Sequence, residues 1–179
     1  MRRFSILILA LAACGGGDDD GGGDASVLTL TSPDIEQDGA FPIENTCDGA
    51  DINPALSWSG GPEGAAGYGI ALVDNTEALI HWVIWDIPAS DSSVPENIEK
   101  TAEPDDPAGA KQSLAFDGAT RGWLGPCPPE THDYTIYLYA VDQHPLPGVD
   151  LDSTRVPLVS ALESASVATA ELRASYQPQ

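Results

Sequence analysis

The segment "HDYTIYLYAVD" (His132–Asp142) is the part of the sequence that most limits the possible folds. It is rich in β-branched and aromatic residues, which favour a β-strand. Successive side chains of a strand point to opposite faces of a sheet. One face would carry His132, Tyr134, Ile136, Leu138 and Ala140, and the other Asp133, Thr135, Tyr137, Tyr139 and Val141. This is the clearest strand in the chain, and it makes a mainly β fold the first expectation.

Four shorter segments also have the composition of strands. They are Val27–Thr31, "ALSW" at Ala55–Trp58, Tyr68–Asp74 and Leu79–Pro88. Only "NTEA" separates the last two, so they are predicted to form a hairpin. Proline and polar residues between Ser90 and Lys111 indicate a long surface loop.

A single helix is predicted near the carboxyl terminus, because Ser160–Tyr176 is rich in Ala, Leu and Glu. Ser160 is a suitable N-cap, and Glu163 would complete a capping box. Many strands followed by one late helix predict an antiparallel β-sandwich of two sheets with a C-terminal helix.

The amino terminus has the features of an export signal. "MRRFSILILALAAC" combines a basic start, a short apolar run and small residues before Cys14, as in a secretory signal peptide. The apolar run is shorter than the ~20 residues needed to span a bilayer. "LAAC" resembles a bacterial lipobox, so we expect residues 1–14 to end at a lipidated Cys14 that anchors the protein to a membrane.

The segment 15–26, "GGGDDDGGGDAS", has the composition of a flexible, solvated tether. It would join the anchor to one domain at 27–179. Because Gly15 rather than aspartate follows Cys14, we expect a location in the bacterial cell envelope, at the outer membrane.

Acidic residues dominate the chain, with 28 Asp+Glu against 7 Lys+Arg and a net charge of −21. Removal of the signal peptide would take Arg2 and Arg3 with it and leave the domain more acidic still. The absence of a basic patch argues against nucleic acid as a partner, and against electrostatic docking on anionic lipid.

Two cysteines, Cys47 and Cys127, remain once Cys14 is set aside. In an exported chain they could form a disulfide, which would close a long loop and stabilise the fold by about 4 kcal/mol. Two buried thiols are the alternative.

Three polar residues are predicted to meet at one edge of the sheet. Asp74 ends the first hairpin strand, His81 begins the second, and His132 begins the long strand. By alternation, Asp74 shares a face with Ile70 and Leu72, His81 with Val83, Trp85 and Ile87, and His132 with Tyr134 and Ile136. An apolar floor with a few convergent polar groups is typical of a binding pocket.

A rigid turn precedes His132 and would form one wall of this pocket. Pro126, Pro128 and Pro129 restrict the backbone, and Gly125 would let it approach a ligand closely. A preorganised loop with free N–H groups can hold an anion.

The motifs "CDGADINPALSW", "HWVIWDIP" and "GPCPPETHDYTIYLYAVD" resemble the phosphatidylethanolamine-binding protein family, in its bacterial Raf-kinase-inhibitor-like branch. The resemblance extends from about Val27 to Tyr176. It implies a two-sheet β-sandwich with a pocket for phosphate-type anions. The residues that it assigns to ligand binding are Asp74, His81, Gly125, Cys127, Pro128, His132 and Tyr134.

The expected function is non-enzymatic binding of a small anionic or phosphorylated ligand, or of a protein partner, with no cofactor and no metal. Since no Lys or Arg lies in the matched motifs, binding would depend on protonated His81 or His132, and mild acid would favour it.

A hydrolase that uses Asp74, His81 and His132 as acid–base groups is one alternative. A zinc site on the same three residues is the other.

Overall fold

Two β-sheets pack face to face in the computed structural model, which describes residues 27–179. The predictions for residues 1–14, for Cys14 and for the tether at 15–26 lie outside the described residues. The strands are β1 (Thr29–Thr31), β2 (Gly39–Ala40), β3 (Leu56–Ser59), β4 (Gly67–Asp74), β5 (Leu79–Pro88), β6 (Ser93–Val94), β7 (Lys111–Gln112), β8 (His132–Val141) and β9 (Ser166–Tyr176). The helices are a 3₁₀ turn at Ile43–Asn45 and α1 at Arg155–Ala165.

The smaller sheet has the order β1-β3-β6, and the larger has the order β2-β9-β8-β4-β5-β7. Neighbouring strands pair antiparallel except for the short parallel pair β2 and β9. The predicted fold class, a β-sandwich with one late helix, is confirmed. The predicted hairpin is β4–β5, and the predicted surface loop contains only the short strand β6 before β7 begins.

The larger sheet buries both of its faces. One face packs on the smaller sheet through a first core cluster that includes Leu72, Trp82 and Ile136. The opposite face packs on α1 through a second cluster that includes Val83 and Leu162. The two faces predicted for β8 therefore lie in different clusters, with Tyr134 in the first and Tyr139 in the second.

The predicted extent of the helix is wrong. Helix α1 begins at Arg155 and ends at Ala165, and the remainder of the predicted helix is strand β9. The N-cap is Thr154, so Ser160 and Glu163 lie inside the helix and form no capping box.

Pairing with β8 explains why this segment is a strand. Ala168, Ala170, Leu172, Ala174 and Tyr176 alternate toward the first core cluster, and β9 pairs with β8 along almost its whole length. Inter-strand hydrogen bonds and apolar burial outweigh the helix propensity of alanine.

No helix within residues 27–179 is both long enough and apolar enough to cross a bilayer.

Close packing of α1 on the sheet depends on a glycine in β4. A Cβ atom at Gly69 would collide with the Cδ atoms of Leu162. Leu162 is fully buried, so it has little freedom to move away.

We therefore expect Gly69→Ala to lower the free energy of unfolding by about 1–3 kcal/mol through overpacking. Leu162→Ala alone should cost about 2–5 kcal/mol through a cavity. Since the added methyl group would occupy part of that cavity, the double variant should lose less than the sum of the two. Urea denaturation of the four proteins measures this coupling, and strictly additive losses would contradict the proposed contact.

Candidate functional site

A cavity of about 180 Å³ opens at the turn end of the β4–β5 hairpin, beside the first residues of β8. Of the residues predicted to bind ligand, all but Gly125 line it. The complete lining is Asp74, Glu77, Leu79, His81, Phe116, Cys127, Pro128, Pro129, His132 and Tyr134. The structure thus brings together the hairpin, the proline-rich turn and the start of the long strand.

The buried pair of Asp74 and His132 lies at the centre of the site. Strands β4 and β8 pair so that Asp74 lies opposite Tyr134, two residues beyond His132. Nδ1 of His132 lies 2.6 Å from Oδ2 of Asp74, and both side chains are buried. The carboxylate therefore orients the imidazole.

The Asp74 carboxylate is held in its charged form. Burial by itself would raise its pKa, but hydrogen bonds from His132 and from the backbone N–H groups of Glu77 and Thr76 outweigh burial and lower the pKa. Those two N–H groups donate to Oδ1 at 3.1 and 2.8 Å. Because the ionised carboxylate can only accept hydrogen bonds, the proton of the pair lies on Nδ1 of His132.

His81 reaches the cavity through a β-bulge, which corrects its predicted orientation. Leu72 pairs with Trp82 and Val73 with Ile80, so His81 is an extra residue in β5. Its ring centroid lies 5.5 Å from that of Tyr134, on the face of the first core cluster. The predicted grouping with Val83 assumed strict alternation, which a bulge interrupts.

The neutral form of His81 is favoured. Its Nδ1 lies 2.9 Å from the carbonyl oxygen of Leu124, and a carbonyl only accepts hydrogen bonds, so Nδ1 carries the proton. Burial lowers the pKa of His81, and the hydrogen bond to Leu124 opposes this only in part. Within the described residues, Nε2 of His81 and Nε2 of His132 make no hydrogen bond and remain available to a ligand.

Tyr134 contributes an unused hydrogen-bond donor. Its side chain is 1% exposed, and its hydroxyl has no partner in the part of the chain that the structure describes. Burial, and then the nearby Asp74 carboxylate, raises the pKa of this phenol well above its usual range. The hydroxyl therefore keeps its proton at all physiological pH values.

The proline-rich wall is held in place by a disulfide between Cys47 and Cys127, with Cα atoms 5.3 Å apart. The N–H of Cys47 also donates to the carbonyl of Pro126 at 3.1 Å. The bridge leaves Cys127 without a thiol, so this residue contributes shape and apolar surface to the cavity and cannot act as a nucleophile.

The predicted role of Gly125 is wrong. Gly125 does not line the cavity, and its N–H donates to Asp51 at 2.7 Å. A Cβ atom there would collide with the carbonyl of Asn45, so the glycine serves internal packing. Since prolines have no N–H, the wall offers few donors and acts mainly as a rigid boundary.

No Lys or Arg side chain of residues 27–179 lines the cavity, and all of them have partners elsewhere. Lys100 and Lys111 pair with Asp51 and Asp86, Arg173 pairs with Asp38 and Glu171, and Arg121 and Arg155 donate to main-chain carbonyls. Any positive charge in the site must come from an imidazole.

A second cavity of about 360 Å³, which Tyr134 also lines, lies where the start of β8 meets the end of β9. Its single guanidinium, Arg173, already binds Asp38 at 2.8 Å and also Glu171. The smaller cavity is the better candidate because it contains the buried polar groups whose hydrogen-bonding capacity is unused.

The structure bears differently on the two alternatives, since Asp74, His81 and His132 all line the cavity. Within residues 27–179, no group of three or more metal-ligating side chains is arranged to hold an ion. The Asp74–His132 pair could act as a general base, but the cavity lining contains no serine or threonine nucleophile.

Sequence reasoning missed Glu77, Leu79 and Phe116, which also line the cavity. The first two follow from the hairpin, once Asp74 and His81 are placed at its turn. The Asp117-Gly118 dipeptide marks a turn next to Phe116, but no local signal shows that this turn lies over His81.

Comparisons with known proteins agree with this architecture. The sequence profile described as phosphatidylethanolamine-binding protein matches residues 31–177. A UPF0098 protein of Archaeoglobus fulgidus is 32% identical over 179 residues, which cover 98% of this chain and 60% of that protein. A protein of Mycobacterium tuberculosis that is named as a lipoprotein, LppC, is 34% identical over 122 residues, covering 64% of this chain and 56% of its own length.

The fold has a close counterpart among solved structures. The crystal structure of YbcL from Escherichia coli, described as a new member of the mammalian PEBP family, superposes with a TM-score of 0.75. The two are 27% identical, and the match covers 85% of this chain and 99% of that one. The chain spans less than two thirds of the length of the Archaeoglobus and Mycobacterium relatives. With the profile match over most of its length, the chain belongs to the phosphatidylethanolamine-binding protein family.

Proposed function

We propose that this protein binds a small phosphate-type anion, without turnover, in the cavity between His81 and His132, and that it does so as a lipid-anchored protein of the bacterial envelope. The observation that carries the binding proposal is the Asp74–His132 pair beside the unpartnered Tyr134 hydroxyl. Together with His81, these groups offer one neutral donor and two free imidazole nitrogens in a site of limited volume.

The proton balance decides when an anion can bind. In the neutral site, Nε2 of each imidazole presents a lone pair, which repels an anion oxygen. Binding requires a proton on Nε2 of one of the two imidazoles, which mild acid favours. The complex therefore holds more protons than the separate partners at pH 8, and its affinity rises as the pH falls.

The lowered pKa of His81 is consistent with an anion affinity that rises as the pH falls. Burial disfavours its imidazolium in the free protein, so few molecules are charged at neutral pH. A bound anion would favour the imidazolium and raise that pKa. The negative charge of the whole chain opposes anion binding, which is why we expect weak affinity.

The envelope location has separate support. Cys14 follows a signal-like segment, and the matched LppC of Mycobacterium tuberculosis is named as a lipoprotein. Covalent acyl chains would hold the domain at a membrane surface without any spanning segment.

We expect a phosphomonoester to bind about tenfold more tightly at pH 5.5 than at pH 8, a difference of about 1.4 kcal/mol. His132→Ala should weaken binding at pH 5.5 by a similar factor, because it removes one charge-assisted hydrogen bond. Titration calorimetry at both pH values measures the affinities, and recovery of intact ester separates binding from hydrolysis.

His144→Ala is the matched control for this experiment, since His144 lies outside the cavity, 4.0 Å from Asp86. It should bind like the unaltered protein. Absence of heat at both pH values, or equal affinity at the two, would rule out the proposed coupling to protons.

Tyr134→Phe should separate binding from stability. The hydroxyl has no partner in the described structure, so its removal should leave the free energy of unfolding unchanged or slightly higher. Anion affinity should fall about fivefold to tenfold, as expected for one lost neutral hydrogen bond. Paired measurements of urea denaturation and calorimetry test this, and a large loss of stability with unchanged affinity would show that the hydroxyl has a structural role instead.

Cys14→Ser should move the protein from the detergent-extracted membrane fraction to the soluble fraction of a bacterial host, because it removes the acceptor for the acyl chains. Immunoblots of the two fractions measure the shift. Ser26→Ala, a change in the same amino-terminal part of the sequence that keeps Cys14, serves as the control. Equal partition of the Cys14→Ser and unaltered proteins would contradict the anchor.

A further inference from the structure

We propose that Phe116 makes the cavity selective for phosphorylated ligands that carry a compact apolar group, an inference that rests on the proposed anion site. Phe116 lines the cavity and is 38% exposed. It is the only Phe, Trp or Tyr side chain in residues 27–179 that is exposed. A phenylalanine at the rim of a polar site has no structural need to remain uncovered, whereas a ligand could cover it.

Successive aromatic rings of the site are neighbours, from the buried His132, Tyr134 and His81 to the exposed Phe116. Centroid separations are 6.3 Å from His132 to Tyr134, 5.5 Å from Tyr134 to His81 and 4.7 Å from His81 to Phe116. The first three side chains are buried, and only Phe116 is exposed. An anion bound at the inner, polar end would therefore direct its substituent toward Phe116.

The exposed Glu77 forms one part of the cavity lining. Elsewhere in the lining Phe116 is accompanied by three other apolar residues, Leu79, Pro128 and Pro129. None of these side chains can hydrogen-bond the substituent of a ligand, so a polar substituent would lose water without compensation. An apolar substituent would gain burial against the phenyl ring and the prolines.

The loop that carries Phe116 is fixed before any ligand arrives. Oδ1 of Asp117 accepts from the N–H groups of Ala119 and Thr120, both at 2.9 Å, and the Thr120 hydroxyl donates to Oδ2 of Asp117 at 2.6 Å. The N–H of Ala115 donates to the carbonyl of Thr120 at 2.7 Å, which closes the turn. Phe116 therefore projects from a preorganised turn, and little ordering entropy opposes its contact with a ligand.

Helix α1 adds a second support to this loop. The guanidinium of Arg155 donates to the carbonyls of Ile80, Leu114 and Ala115, which join β5 to the residues just before Phe116. Arg155 thus positions the ring relative to His81. The preference for an apolar substituent therefore depends on where the loop places Phe116, as well as on the phenyl side chain itself.

The test compares methyl phosphate with phenyl phosphate by calorimetry at pH 5.5, using the purified full chain. In the unaltered protein, phenyl phosphate should bind about fivefold to tenfold more tightly, because its ring buries apolar area against Phe116. In Phe116→Ala, methyl phosphate should bind within about twofold of the unaltered protein, and phenyl phosphate should fall to the same affinity. Phe116→Tyr should keep the preference.

Leu114→Ala is the matched control, since Leu114 lies in the same loop with 37% exposure but does not line the cavity. It should keep the preference for the phenyl ester. Equal affinity of the two esters in the unaltered protein, or a preserved preference in Phe116→Ala, would overturn the role of Phe116 and leave the anion site intact. Absence of binding of both esters would overturn the anion site, and the inference would fail with it.

Discussion

The hydrogen bond between Asp74 and His132 is the interaction on which the site depends. It joins the end of β4 to the start of β8 in the interior, where an isolated carboxylate would be costly to desolvate. Three donors satisfy the carboxylate: His132 and the backbone N–H groups of Thr76 and Glu77. Because two of these donors lie in the hairpin turn and fix the carboxylate, Asp74 can hold one imidazole in a single orientation and tautomer.

The remaining parts of the cavity depend on departures from regular structure. A bulge in β5 turns His81 toward Tyr134, and a disulfide fixes the proline-rich wall beside the 3₁₀ turn. The bulge thus places His81, and the disulfide places the wall, in positions that regular strand pairing alone would not give. The larger sheet supplies the rigidity, because its two faces are buried against the smaller sheet and α1.

Much of the fold follows from periodicity in the sequence. The strand at Leu79–Pro88 has the predicted bounds, and β8 begins at His132 as its alternation indicated. The predicted helix is too long because the helix propensity of alanine masks the period-two pattern of Ala168, Ala170 and Leu172. Those residues pack in the first core cluster, and pairing with β8 determines their conformation.

Most residues of the cavity could be identified from the sequence, but their roles could not all be derived. Asp74 and His132 meet because adjacent strands end together, which alternation and strand ends predict. The orientation of His81 depends on a bulge that leaves no clear composition signal. The roles of Gly125 and Phe116 depend on contacts between distant segments of the chain. Gly125 packs against Asn45, and Phe116 lies against His81. Local sequence patterns do not encode such contacts.

The central claim is that an anion binds together with a proton on an imidazole of the site. The most direct measurement is ¹⁵N nuclear magnetic resonance of the three histidines at pH 7, with and without a saturating phosphomonoester. The account predicts that the ring nitrogens of His132 or His81 shift toward imidazolium values on ligand addition, while those of His144 stay unchanged. Ligand-saturated spectra in which both His81 and His132 remain neutral would contradict it.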